Sequence, residues 1–286
     1  MPYEKNIVSL QIIFLFCERK EVPMQARHLD RRVYFNELAK TSREYFISYV
    51  NKFIDLEAHP RVLEIGCGEG GNLLPFAEQG CYVLGIDFDK NKIDSANAFF
   101  EEQGLKGDFI CSDFMNVPEP QSVEEKYDLV LIHDVVEHIE MPYKPTFLEH
   151  MKRFMRPDAY AYFGFPAWQM PFGGHQQICK SKFVSKLPFI HLLSEKQYRR
   201  LLQRHGEDEG KIAELLSIKH SKMPVELFEK FVKAAQLKVV KRTYWVINPH
   251  YKVKFHLIPL REIWPFTKIP YLRNFYTTSA WYILHQ

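Results

Sequence analysis

"VLEIGCGEGG" occupies residues 62–71, and how it is read decides the fold. A short apolar run, interrupted only by Glu64, empties into four glycines within six residues. Glycine permits a sharp turn and leaves the backbone unshielded by Cβ, so a ligand can lie directly on it. Helical character resumes near 72–78, which places the turn between a strand and a helix start. The same alternation recurs on either side. "CYVLGID" (81–87) precedes a helix at 90–103, "GDFICSD" (107–113) leads to "YDLVLIH" (127–133), and a helix around 146–155 precedes "AYAYFGF" (159–165). Upstream, 34–56 has helical periodicity, with Phe46, Val50 and Phe53 on one face. Five strands alternating with helices predict a parallel sheet covered on both faces.

Gly66, Gly68 and Gly71 satisfy GxGxxG, and Asp87 ends the next strand 19 residues after Gly68. An acid there is placed to accept hydrogen bonds from a ribose diol. Nicotinamide-dependent oxidoreductases and adenosylmethionine enzymes both use this arrangement, so the first two strands leave the two open.

The later strands break the tie. "VLEIGCGEGG", "GIDFD", "CSDF" and "YDLVLIHDVVEHI", taken in register, resemble the class I methyltransferases that use S-adenosylmethionine, most closely the ubiquinone/menaquinone type. The resemblance covers roughly residues 60–165 and implies an α/β, Rossmann-like sheet of seven mostly parallel strands. Its last strand is antiparallel, and a helical insertion follows strand five. It implies Glu64, Gly66, Cys67 and Gly68 at the methionine end of the cofactor and Asp87 with Phe88 at the ribose and adenine. Asp113 and Phe114 fall at the adenine, and His133 lines the methyl end.

The expected organisation is an N-terminal helical cap (1–56), the cofactor core (57–166), a substrate-side helical insertion (167–222) and the end of the sheet (223–286). In that last part, 237–247 and 277–285 read as strands, and the segment between them shows little period. Helices are expected at 194–205 and 211–217, then another from Ser221, a candidate N-cap, with Pro224 in its first turn. "FPAWQMPFGGHQQ" (165–177) leaves strand five at the ligand edge and enters the divergent half. Trp168, Phe172 and Gly174, together with Tyr34, are the expected acceptor-side residues. His175 is the candidate catalytic base, because a hydroxyl acceptor must lose a proton. The stretch reads as an acceptor wall and lid, its glycines serving as hinge or close-approach points.

"DVVEH" (134–138) is expected to begin a helix after strand four. Asp134 and Glu137 then share a face, with His138 adjacent, a set able to hold a divalent metal. Acids in a first helical turn also simply complement the helix dipole, and no metal is assigned.

The chain has 286 residues, and its hydrophobic share of 46% rules against disorder. Net charge is +3, but residues 1–179 carry 18 Lys/Arg against 27 Asp/Glu, whereas 180–286 carry 20 against 8. That asymmetry suits an anionic end on the acceptor, a small molecule or lipid-linked intermediate, while the near-neutral total argues against nucleic acid. Five cysteines without paired spacing read as reduced thiols, hence a cytoplasmic protein. "NIVSLQIIFLF" (6–16) is too short to span a bilayer, although contact with a membrane surface stays open, and Met24 is an alternative start. The competing functions are an NAD(P)-type oxidoreductase, a metal-dependent or RNA-directed methyltransferase, and a non-catalytic cofactor-binding scaffold.

Overall fold

The strand that feeds the glycine turn, β1 (Arg61–Ile65), is buried along nearly its whole length. A strand covered on both faces belongs in the middle of a sheet, and that is where it lies. The computed structural model describes residues 30–262 and 265–286. The remaining strands are β2 (Tyr82–Asp87), β3 (Asp108–Cys111), β4 (Tyr127–His133), β5 (Met155–Phe165), β6 (Lys238–Ile247), β7 (Leu260–Arg261) and β8 (Ser279–His285). They form one sheet in the order β3-β2-β1-β4-β5-β8-β6-β7. β1 to β5 pair in parallel, and β8 runs antiparallel between β5 and β6. The sheet thus has eight strands rather than seven, the extra one being the two-residue β7 paired to β6.

Helices cover both faces. They are α1 (Arg31–Thr41), α2 (Ile47–Val50), α3 (Leu74–Glu78), α4 (Lys90–Glu102), α5 (Lys144–Arg153), α6 (Glu195–Arg204), α7 (Glu209–Ser221), α8 (Val225–Ala234) and α9 (Pro249–Phe255). Period-two alternation sorts the strand side chains between the two layers. On β5, Phe163 and Phe165 face a core shared with Phe147 and Met151 of α5 and Phe228 of α8. Tyr162, the residue before Phe163, faces the other layer with Phe46, Phe76, Phe100 and Trp281. A π-helical turn (Ser42–Phe46) joins α1 to α2 and carries Phe46 into contact with His133, Tyr162 and Trp281. Burying a ring of this size contributes on the order of 2 kcal/mol. The insertion after β5 has a small core of its own, including Cys179, Val184, Tyr198, Ile212 and Leu215.

Three local expectations are corrected. No helix begins at Asp134: that residue takes a left-handed backbone (φ 53°), and residues 134–140 form a turn before α5. Ser221 ends α7 instead of capping α8, whose N-cap is Pro224. The segment after β6 is not irregular throughout, because Asn248 caps α9 by accepting from the His250 N–H. Residues 6–16 and Met24 lie outside the described residues. Among the described residues no helix is long and apolar enough to cross a membrane.

Candidate active site

The carboxyl ends of β1, β2 and β4 meet at the glycine turn. Gly66 (φ 73°) donates its N–H to Ile86 O at 2.8 Å, and a Cβ there would collide with Val135. Gly71 lies under α1, where a Cβ would stand 2.5 Å from Phe35 O. Asp87 is locked by two backbone donors, Gly68 N (3.0 Å) on Oδ2 and Asp89 N (2.9 Å) on Oδ1. Carboxylate lone pairs beyond these two remain to meet a diol. Phe88, 80% exposed, presents an open aromatic face beside Asp87. Asp113 is exposed and caps its own 3-10 turn through Met115 N. Phe114 differs from expectation: its ring turns into the core against Phe147, His150 and Phe154, so it does not wall this edge.

Glu64 is buried. Its Oε1 accepts from Asn72 Nδ2 at 2.7 Å, but its Oε2 has no hydrogen-bond partner. Burial raises its pKa to about 8, with Asn72 opposing and Asp87 adding to the rise. An orphaned buried carboxylate oxygen calls for a cation or an ammonium group. Cys67 is buried within the turn, and burial raises its thiol well above the ordinary value, so it stays protonated.

At the end of β4, His133 is held by Tyr162 Oη (3.2 Å to Nδ1) and packed on Phe46. Gly164 on the neighbouring strand leaves room for this imidazole, since a Cβ would overlap it. Burial lowers the His133 pKa and keeps the ring neutral. Tyr34 of α1 is half-buried. Its phenol is raised by burial and then by the nearby carboxylates of Asp134, Glu69 and Glu64, which places it above the turn. Tyr251 of α9 also feels Asp134. The two helices are tied where Thr41 Oγ1 meets His250 Nδ1 at 3.0 Å, forming a roof over this edge.

The turn after β4 and the stretch after β5 meet. Glu137, His138 and His175 offer ligand atoms within 4.8 Å of one another. The two imidazoles stand edge to face with centroids 4.8 Å apart. Neither Glu137 oxygen has a hydrogen-bond partner, although the residue is only 6% exposed. Burial and then Asp134 raise its pKa well above the carboxylate range. Burial, the neighbouring Lys144 and Lys92 bring His138 down to about 4, and burial with His138 brings His175 to the same value. Two neutral imidazoles and a carboxyl group that would ionise on meeting a cation form a mixed N,O set of the kind that holds a first-row divalent cation. The fully buried Lys144 stands behind them, its Nζ donating to Val136 O and its pKa lowered to about 8 by burial. Asp134, expected in this set, turns aside: its Oδ2 lies 3.7 Å from His133 Nε2.

Trp168 and Phe172 are largely buried, which fits a wall more than an open flap. The Trp168 ring stacks edge-on against His191, whose Nε2 bonds Trp168 O at 2.8 Å. Neither Gly173 nor Gly174 has a positive φ. A Cβ on Gly173 would strike Trp168 O, and one on Gly174 would strike His191. Of the two roles expected of them, hinge or close approach, their contacts are those of close approach. The left-handed residue here is His175 (φ 55°).

Sequence reading missed the pairing of His138 with His175, and strand order was the available signal. β4 and β5 are neighbours, so the turns that leave their carboxyl ends must face each other.

Residues 62–158 match the family described as Methyltransferase domain. That segment, about a third of the chain, is similar to a methyltransferase domain. Over 97 residues it is 32% identical to a ubiquinone biosynthesis O-methyltransferase of Rickettsia felis, covering 34% of this chain and 38% of that protein. A protein of the same name from Maricaulis maris is 35% identical over 97 residues, 34% of this chain and 37% of its own length. The match therefore spans well under half of either relative. A sphingolipid C9-methyltransferase of Candida albicans is 28% identical over 109 residues, 37% of this chain and 21% of that protein. The fold extends further than the sequence match. A plantazolicin methyltransferase, solved with SAH, superposes with a TM-score of 0.52 at 14% identity over 99% of this chain and 98% of that one. Magnesium protoporphyrin IX methyltransferase from Synechocystis PCC 6803 gives 0.53 at 12% identity over 99% and 95%. With residues 62–158 matching a methyltransferase domain, the oxidoreductase alternative left open by the glycine turn is not favoured.

Proposed function

We propose that the protein is an S-adenosylmethionine-dependent O-methyltransferase acting on a hydroxylated small molecule or lipid-linked acceptor. In this reading Glu137, His138 and His175 hold a divalent cation beside the reacting oxygen. The carrying observation is Glu137, a carboxylate with no protein donor, buried against two neutral imidazoles at the ligand edge. The matched domain and the names of its relatives support the transferase chemistry.

When bound, the cofactor would supply a methyl group on a sulfonium, and a cation at Glu137, His138 and His175 would lower the pKa of the acceptor hydroxyl. Glu64 Oε2 takes the cofactor's ammonium group. Asp87 orients the ribose, Phe88 covers the adenine and Asp113 meets its amino group. His133 lines the methyl end, while Trp168, Phe172, Gly174 and Tyr34 shape the acceptor side. With cofactor and acceptor held there, the acceptor oxygen would bond the methyl carbon as the methyl–sulfur bond broke, the thioether would leave neutral and the hydroxyl proton would pass to water. Held in line, such a displacement needs mainly alignment and desolvation. A His175 pKa near 4 makes it a weak proton acceptor at neutral pH, which favours a ligand over the base first assigned. The four described cysteines are free, which supports a cytoplasmic setting.

The test incubates the protein with labelled cofactor and hydroxylated aromatic and isoprenoid acceptors, before and after chelation, and titrates the stripped protein with Mn2+ by calorimetry. Transfer that stops on chelation, with one Mn2+ site lost in His175→Ala, is the expected result. Transfer indifferent to chelation returns His175 to the role of base.

A further inference from the structure

Two turns beside the acceptor stretch carry exposed apolar side chains that the proposed chemistry does not use. Leu192 ends the turn Ile190–Leu192 and Leu193 caps it, while Leu272 and Phe275 bound the turn Leu272–Phe275 that Tyr271 precedes. Phe189 and Phe275 join the two, with ring centroids 6.2 Å apart. Phe189 is in turn fixed to the acceptor stretch by donating its N–H to Pro171 O. Gln176 bonds both Pro171 O and Leu187 O, which brings the Val184–Lys186 turn alongside. Tyr271 is 64% exposed, and all five side chains at the tips stand at or above about a third exposure.

The acids nearest the tips are mostly engaged: Glu226 pairs with buried Arg273 and accepts from Tyr271 N, and exposed Glu195 meets His220. Residues 180–194 and 263–278 contain no Asp or Glu. Lys182, Lys186 and Lys268 are exposed beside the apolar tips, whereas Lys180 is balanced by Asp208. Both segments lie over the carboxyl edge of the sheet, since one follows β5 and the other leads into antiparallel β8. Aliphatic and tyrosine tips interleaved with unopposed lysines match an anionic bilayer: the apolar groups enter the headgroup layer and each lysine meets a lipid phosphate. The tips sit on short turns and offer neither a long helical groove nor an extended strand edge to a peptide.

We propose that this face, Leu192–Leu193 with Tyr271–Phe275, docks the protein on an anionic membrane surface with the acceptor side turned toward the lipid. Naming the lipid-facing side as the acceptor's rests on the proposed function, whereas docking itself is measured without turnover and stands or falls separately.

The experiment sediments the full chain with vesicles of phosphatidylcholine alone or with one-third phosphatidylglycerol, at low and high salt. Two double variants are compared with the parent, Leu272→Glu with Phe275→Glu and Lys186→Glu with Lys268→Glu. All four positions are exposed, so a thermal melt close to the parent's establishes folding. The apolar segment 6–16 is retained throughout, so binding through it would leave all three proteins alike. Expected is partition onto the phosphatidylglycerol vesicles, about tenfold or more weaker on the neutral ones, and about tenfold weaker for each variant. Parent protein left in the supernatant, or variants that partition equally, overturns the proposal. So does a parent dimer that Leu272→Glu with Phe275→Glu makes monomeric without changing vesicle binding, which would assign the face to a second copy.

Discussion

The turn after β1 and the stretch after β5 are both rich in glycine, yet they use it in opposite ways. In the first, Gly66, Gly68 and Gly70 all take positive φ, so glycine supplies backbone freedom. In the second, Gly173 and Gly174 have ordinary backbones and supply space, while the left-handed strain is carried by His175. A non-glycine residue held there costs on the order of 1 kcal/mol and persists only where its surroundings enforce it. The first turn builds a surface from backbone. The second packs a loop tightly enough to aim one side chain.

The largest expected effect breaks the second region alone. His175→Ala should lower methyl transfer about 100-fold or more, because a cation ligand is lost, while cofactor affinity measured by calorimetry stays near the parent's. Asp87→Ala is the mirror image: it should weaken cofactor binding about 10- to 100-fold and leave Mn2+ binding intact. Loss of both properties in either variant would show that the two regions are not separable. The glycines sharpen the contrast. Gly174→Ala places a methyl into His191 and should cost about 1–3 kcal/mol in denaturant unfolding. Gly68→Ala meets nothing within 4 Å but must hold φ 54°, a cost of about 1 kcal/mol. Equal costs would dissolve the distinction between space and freedom.

The smallest effect is a proton. Glu64, raised to about 8, is mostly protonated at pH 7, and an ammonium group settling on Oε2 draws its pKa down. Cofactor binding should then release about one proton at pH 7 and weaken as pH falls below 8. Calorimetry in buffers of different ionisation enthalpy reads this directly, and Glu64→Gln should abolish the release.

Legibility followed the same division. The strands of the glycine-turn half could be placed because their period and termination are local, which puts Asp87 after "YVLGI", Asp113 just past β3 and Glu64 within β1. Phe114 shows the limit, since adjacency in sequence to Asp113 does not say which way a ring turns. The acceptor half depends on tertiary contacts between turns. Asp134 looked like a helix start because the acids after it suit one, but its left-handed backbone redirects the chain and swings Glu137 and His138 toward His175. No local pattern encodes a meeting across 37 residues; only strand order does. The cap of α9 was available in Asn248–Pro249 and was obscured by the aromatic residues around it.

Lys144 has a consequence of a different kind. Its amine has no exposed surface and is fastened to the carbonyl of Val136, inside the turn that carries Glu137 and His138. An acylating reagent reaches it only when that turn lifts, so its labelling rate, set against the many surface lysines, times the opening of the candidate site.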